Sequence, residues 1–199
     1  MCMTNNGYLK GPALQQHIEN CMIQMLKEMS YNAIRISDLC TRANVARKTF
    51  YSYYPTKDAC FQAVAERIIL NVMMYTNGHM KSTSNVLEYY THYLNCWKNN
   101  RWFLEIVQKN DLDSHFIQRG MYLIQSVDSH FLGLLSTSTT APDMDVLRSY
   151  VSCDFMLVLE WCARGFDTPV ETMAQKYVRL LHQPFIPLSE TQKMWPSST

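Results

Sequence analysis

The feature that most constrains this sequence is a pair of short apolar stripes held apart by a break of four residues. Leu39, Cys40 and Ala43 form the inner face of one short helix, opened by Ser37 as N-cap after Ile36. A second short helix runs from Arg47 to about Tyr53, with Phe50 on its buried side. Between them Ala43-Asn44-Val45-Ala46 interrupts the periodicity. A turn this tight calls for left-handed backbone, and Asn44 is the non-glycine residue best suited to it. Val45 is placed to plug the angle between the helices. Upstream, Leu14, Ile18, Cys21, Met22, Met25, Leu26 and Met29 mark a longer helix over about residues 11–29. Three helices, the last two joined by a tight turn, describe a helix-turn-helix.

The rest of the chain keeps the helical period. Tyr54-Pro55-Thr56 breaks it once, and Thr56 then caps a long fourth helix that buries Phe61, Ala65, Ile68, Ile69 and Val72. From about residue 82 five more helices follow. Their stripes are Val86 to Trp97, Trp102 to Val107, Phe116 to Leu135 (through Met121, Ile124, Val127 and Phe131), Asp143 to about Arg164, and a last one opened by Thr168-Pro169-Val170-Glu171. Ser136–Ala141 with Pro142 reads as a loop, Gly165 as a stop, and the residues after Pro184 as a frayed tail. No segment alternates with period two for long, so the expected fold is all-α with about nine helices. The expected division is a helix-turn-helix domain over 1–58, a helical domain over 59–185 and a flexible tail over 186–199. In the penultimate helix Val146, Tyr150, Cys153, Leu157 and Trp161 cover overlapping faces, too broad for one buried stripe. Such a helix is central or half of an interface.

Hydrophobic residues at 47% and charged residues at 18% belong to a globular chain rather than a disordered one. The net charge is only +1, but residues 1–60 hold seven Lys and Arg against four acids, a balance of +3 that leaves about −2 elsewhere. A modestly basic head on a near-neutral body suits phosphate contact at one end. Seven cysteines, an odd number without a C-x-x-C pair, do not make a disulfide framework, and most fall at apolar helical positions. No apolar run reaches membrane-spanning length and no signal-peptide core opens the chain, so the expected location is the cytoplasm.

The stretch from Ile36 through Asp58 resembles, over its whole length, the signature of the tetracycline-repressor (TetR) family of transcriptional regulators. The register is carried by Thr49-Phe50-Tyr51, the aromatic pair Tyr53 and Tyr54, and Lys57-Asp58 at the start of the fourth helix. Two positions depart from the family pattern. Asn44 stands where glycine is usual, and Ala46 stands where Ser or Thr often caps the recognition helix. The resemblance is sharpest over residues 11–70.

The resemblance implies a DNA-binding regulator, by default a repressor, that binds a roughly palindromic operator as a homodimer and is released by a small-molecule effector. Arg47 and Lys48 open the recognition helix, where side chains face base edges, and Arg47 is suited to bidentate contact with guanine. By resemblance Thr49, Tyr51 and Tyr53 bind phosphates. Lys57 joins them at the first turn of the fourth helix, where free backbone N–H groups also favour a phosphate. In the body the expected effector residues are Tyr93, Trp97, Trp102, Met121, Gln125, Asp154 and Glu160, with an inward carboxylate favouring a cationic or hydroxylated ligand. No cofactor is expected. His92 and Cys96 stand four apart, but two ligands are too few for a metal site. The alternatives are a regulator that is effector-independent or thiol-redox-responsive, with Cys2 as the reactive residue, and less favoured a small-molecule enzyme or carrier. No catalytic motif supports an enzyme.

Overall fold

The computed structural model describes residues 10–80, 85–123 and 144–182. Nine α-helices run through those residues: α1 (Pro12–Glu28), α2 (Ile36–Ala43), α3 (Arg47–Tyr53), α4 (Lys57–Met80), α5 (Val86–Asn99), α6 (Arg101–Lys109), α7 (Asp113–Leu123), α8 (Met144–Ala163) and α9 (Val170–His182). A 3-10 turn at Tyr31–Ala33 links α1 to α2, and no strand occurs among the described residues. Cys2, Ile124, Gln125, Val127, Phe131, Leu135, the loop Ser136–Ala141 with Pro142, and the tail after Pro184 lie outside the described residues.

The head is built on α1. Its apolar stripe buries Ile18, Met22, Met25 and Leu26 in one core with Leu39, Cys40 and Ala43 of α2 and Phe50 of α3. Asn44 adopts the left-handed conformation, φ 51° and ψ 48°. That turns the chain so that the Val45 N–H reaches back to the Cys40 carbonyl at 3.0 Å, satisfying an end-of-helix acceptor. Val45 then packs partly buried against the core, in the angle between the two helices. The expected cap at Ser37 is not formed: α2 begins at Ile36, two residues earlier than a Ser37 cap would start it, and Ser37 lies within its first turn. Arg35 holds the cap position on extended backbone, its carbonyl accepting from the Leu39 N–H at 3.1 Å, and makes no side-chain cap bond. Thr56 does cap α4, accepting from the Ala59 N–H at 3.0 Å.

Helix α4 is 24 residues long, or about 36 Å. It packs on α1 and also on α5 and α7, so one rod is shared by head and body. Helix α8 lies against α6 and α7, and α9 against α5. Trp97, Phe103, Phe116, Phe155, Trp161 and Tyr177 fill the body core, with Phe116 and Phe155 meeting edge to face at 4.7 Å. At Gly120 a Cβ would stand 2.0 Å from the Phe155 ring, so α7 and α8 approach as closely as they do because that position is glycine. Gly165 ends α8 with φ +68°, and the Phe166 N–H closes back on the Trp161 carbonyl at 2.9 Å. The capping box expected at Thr168 does not form. Its hydroxyl donates to Asp167 at 3.1 Å, and α9 starts at Val170.

Candidate nucleic-acid interface and buried acidic cluster

Helix α3 has one buried anchor and one open face. Phe50 is wholly buried, while Arg47, Lys48 and Tyr51 are exposed, and their spacing of three and four residues stacks them on the outer side. Thr49 and Tyr53 flank this face half-buried. No acidic residue lies in the first turn of α3, and Ala46 leaves its N-terminus without a side-chain cap. The free N–H groups of that turn and the Arg47–Lys48 pair therefore point positive charge and donors the same way.

The rear of α3 is held by a group the sequence reading did not single out. The Tyr54 hydroxyl donates to Glu19 Oε1 at 2.8 Å, and Arg67 Nε lies 2.8 Å from Glu19 Oε2. Glu19 is buried, so one carboxylate of α1 is shared by the end of α3 and by α4. Its signal was present in the sequence: an acid among Ile18, Cys21 and Met22 has to find partners or be excluded.

Lys57 is placed differently from an open phosphate ligand. Its Nζ donates to the carbonyls of Tyr31 at 2.8 Å and Ile34 at 3.2 Å, and stands 4.1 Å above the Tyr31 ring. Partial burial pulls its pKa below the usual lysine value, against the opposing pull of Asp58. Tyr31 in turn ties the head to the body. Its N–H donates to Asn110 Oδ1 at 2.7 Å, its hydroxyl to Asp58, and its ring meets Phe61 and His115.

In the body, Tyr89, Tyr90 and Tyr93 of α5 gather with Tyr177 of α9 and Asp154 of α8. The Tyr93 hydroxyl donates to Asp154 Oδ2, and the Tyr177 hydroxyl to the Asp154 carbonyl at 3.1 Å. The residue as a whole is half-buried, but Oδ1 is closed off from solvent and has no hydrogen-bond partner. Desolvation drives the Asp154 pKa up to about 7, partly offset by the bond from Tyr93. Tyr89, Tyr93 and Tyr177 are pushed well above the usual phenol value, chiefly by burial. Trp97 adjoins this group at 6.2 Å from Tyr93, and its buried Nε1 also lacks a partner.

Of the expected effector residues, the structure thus brings together Tyr93, Trp97 and Asp154. Met121 lies beside the same helix and accepts from the Ser152 hydroxyl at 3.0 Å. Glu160 does not face inward: its side chain is 63% exposed, one helical turn from Arg164, because it falls on the outer side of α8 opposite Val158 and Trp161. Trp102 is engaged by Lys27 of α1, 5.2 Å above its ring, at the junction of head and body. Gln125 lies outside the described residues.

Neither rival chemistry gathers a site among the described residues. No three metal-ligating side chains converge there, and His92 instead lies 3.8 Å from Glu88. Burial raises the pKa of Cys21, Cys40, Cys60, Cys96, Cys153 and Cys162 alike, the reverse of what a reactive thiolate needs. No helix among the described residues is long and apolar enough to cross a membrane.

Residues 23–64 match the family model for bacterial regulatory proteins, tetR family. The fold is shared with solved regulators at low identity. The fatty acid degradation regulator FadR from Bacillus halodurans superposes with a TM-score of 0.57 at 16% identity, over 87% of this chain and 96% of that one. FadR from Bacillus subtilis, solved with stearoyl-CoA, gives 0.54 at 12% identity, over 83% and 96%. The TetR family repressor AlkX from Dietzia sp. strain DQ12-45-1b, implicated in biodegradation of n-alkanes, gives 0.54 at 12%, over 83% and 94%. No curated protein matches the sequence.

Proposed function

We propose that this chain, a DNA-binding transcriptional regulator with a TetR-family head, is a repressor that binds a palindromic operator as a homodimer and is released by a small molecule. The observation that carries DNA binding is the exposed Arg47–Lys48–Tyr51 face on a helix anchored behind by Phe50. In this reading Arg47 and Lys48 reach base edges, Thr49, Tyr51 and Tyr53 hold phosphates, and the positive end of α3 points at the groove. Lys57 contributes mainly by fixing the turn at Tyr31–Ala33, with its remaining N–H available to the backbone of DNA.

Pairing through α8 and α9 is supported by Met156 and Leu180, 47% and 46% exposed on the outer sides of these helices. Two-fold symmetry of that contact gives a palindromic site. The working division is a reading head over 1–58 and an effector and dimer body over 59–185, acting in the cytoplasm. The effector reading rests on the buried, undonated Oδ1 of Asp154 and on the relative solved with stearoyl-CoA. Selection of binding sites from random DNA tests the proposal. A palindromic consensus bound by a dimer supports it, and no enrichment over bulk DNA overturns it.

A further inference from the structure

We propose that Asp154, with Tyr93, Tyr89 and Tyr90 of α5 and Tyr177 of α9, is the binding site for a protonated organic amine. This deepens the effector reading above and rests on it. The site already has a hydrogen-bond acceptor and a charge that nothing among the described residues answers. Asp154 Oδ1 is enclosed and without a donor, and among the described residues no cation offsets the desolvation that raises its pKa. A buried carboxylate left in that state is costly unless it is protonated or paired.

Among the described residues the shell around it is rich in tyrosine. Tyr89 and Tyr93 lie nearly parallel at 6.3 Å, Tyr90 stands edge-on to Tyr89 at 5.3 Å, and Tyr177 meets Tyr90 at 5.6 Å. Ring faces attract cations and give little to anions, and a clustered set of tyrosines around a carboxylate is the surrounding an ammonium group prefers. Tyr93 already donates to Oδ2, which leaves Oδ1 as the acceptor for an N–H of the guest. An amine therefore supplies the missing donor and the missing charge together. An anionic ligand would set like charge against Asp154, so this site differs in chemistry from one built for an acyl carboxylate. A neutral alcohol supplies the donor but not the charge.

The test uses the full chain with a panel of amines (2-phenylethylamine, tryptamine and spermidine) set against 2-phenylethanol and phenylacetate. Binding is followed by thermal shift and calorimetry near pH 8, where an uncompensated Asp154 is ionised. At least one amine is expected to raise the unfolding midpoint, while the alcohol and the acid do not. Asp154→Asn, which keeps the shape and removes the charge, is expected to weaken that amine by about tenfold or more. Tyr93→Phe, a second variant that keeps the ring, is expected to weaken it less. Failure of every amine at about 10 mM, equal binding by Asp154→Asn, or preference for phenylacetate overturns the proposal. Operator binding is measured on the same samples. Loss of DNA binding altogether would strike the regulator reading and leave the amine result standing. An amine that binds without changing operator affinity would uphold the site and remove its role as effector site.

Discussion

Glu66 and Arg67 are neighbours on α4 that serve opposite halves of the molecule. Glu66 pairs with Arg119 of α7 in the body, and Arg67 pairs with Glu19 of α1 in the head. Because Glu19 also holds the Tyr54 hydroxyl, α4 is linked through one carboxylate to the end of α3. One turn of α4 is thus anchored to both regions by ion pairs.

Arg67→Ala should cost roughly 2 kcal/mol of stability, since it leaves the buried Glu19 with Tyr54 as its remaining partner. Urea denaturation measures this. The double variant Glu19→Gln with Arg67→Ala should recover part of the loss. A double variant as unstable as the sum of both single changes would show that the two side chains do not interact.

Lys57→Ala should lower stability by about 1–2 kcal/mol, because two carbonyls lose their donor and the Tyr31 ring loses its cation. Its DNA affinity should fall alike for all sequences. A change confined to one base-pair position would mean that Lys57 reads sequence, contrary to its placement.

Ala46→Ser should stabilise the head by about 0.5–1 kcal/mol by providing the cap that α3 lacks. Asn44→Gly should also stabilise, by a smaller amount, since glycine takes the left-handed turn without a Cβ. Thermal unfolding of each variant checks the sign. A lower midpoint for Ala46→Ser would mean that its extended backbone is not a capping geometry.

Asp154 gives the body a pH dependence of definite sign. The groups facing it are Tyr89, Tyr90 and Tyr93 from α5, Tyr177 from α9 and Cys153 on its own helix. All of these, the titratable groups facing it among the described residues, are held above their ordinary values, so none of them shares the Asp154 titration near neutrality. Its pKa is about 7 in the fold against 3.8 ordinarily, so between those values the folded state keeps a proton that the unfolded state has lost. Its contribution to stability therefore falls as pH rises through that window. Asp154→Asn should match the wild type near the lower end and exceed it above the upper end, on the order of 2 kcal/mol after discounting for relaxation. Denaturation curves at several pH values measure the gap, and a gap that does not grow with pH contradicts this assignment.

Much of this was legible in the sequence because it was local. The turn at Asn44, the bare cap at Ala46, the anchor at Phe50 and the stop at Gly165 follow from residue type and helical period. Partnerships between distant segments were not legible. Asp154 and Glu160 sit on one helix six residues apart, and period alone left open which turned inward. Only the packing of α5 and α9 against α8 decides it. Lys57 likewise reads as a phosphate ligand until the Tyr31–Ala33 turn folds back over it. Ser37 and Thr168 were sound caps by type, but the helices begin at Ile36 and Val170, so neither residue stands at the cap position.

The most direct test of the central claim is the affinity of Arg47→Ala for a selected operator and for its single-base variants. Sequence reading by this face predicts a loss of about 1–3 kcal/mol that is concentrated at one base-pair position in each half-site. Affinity and specificity unchanged from the wild type would contradict it, and α3 would then not be the helix that reads DNA.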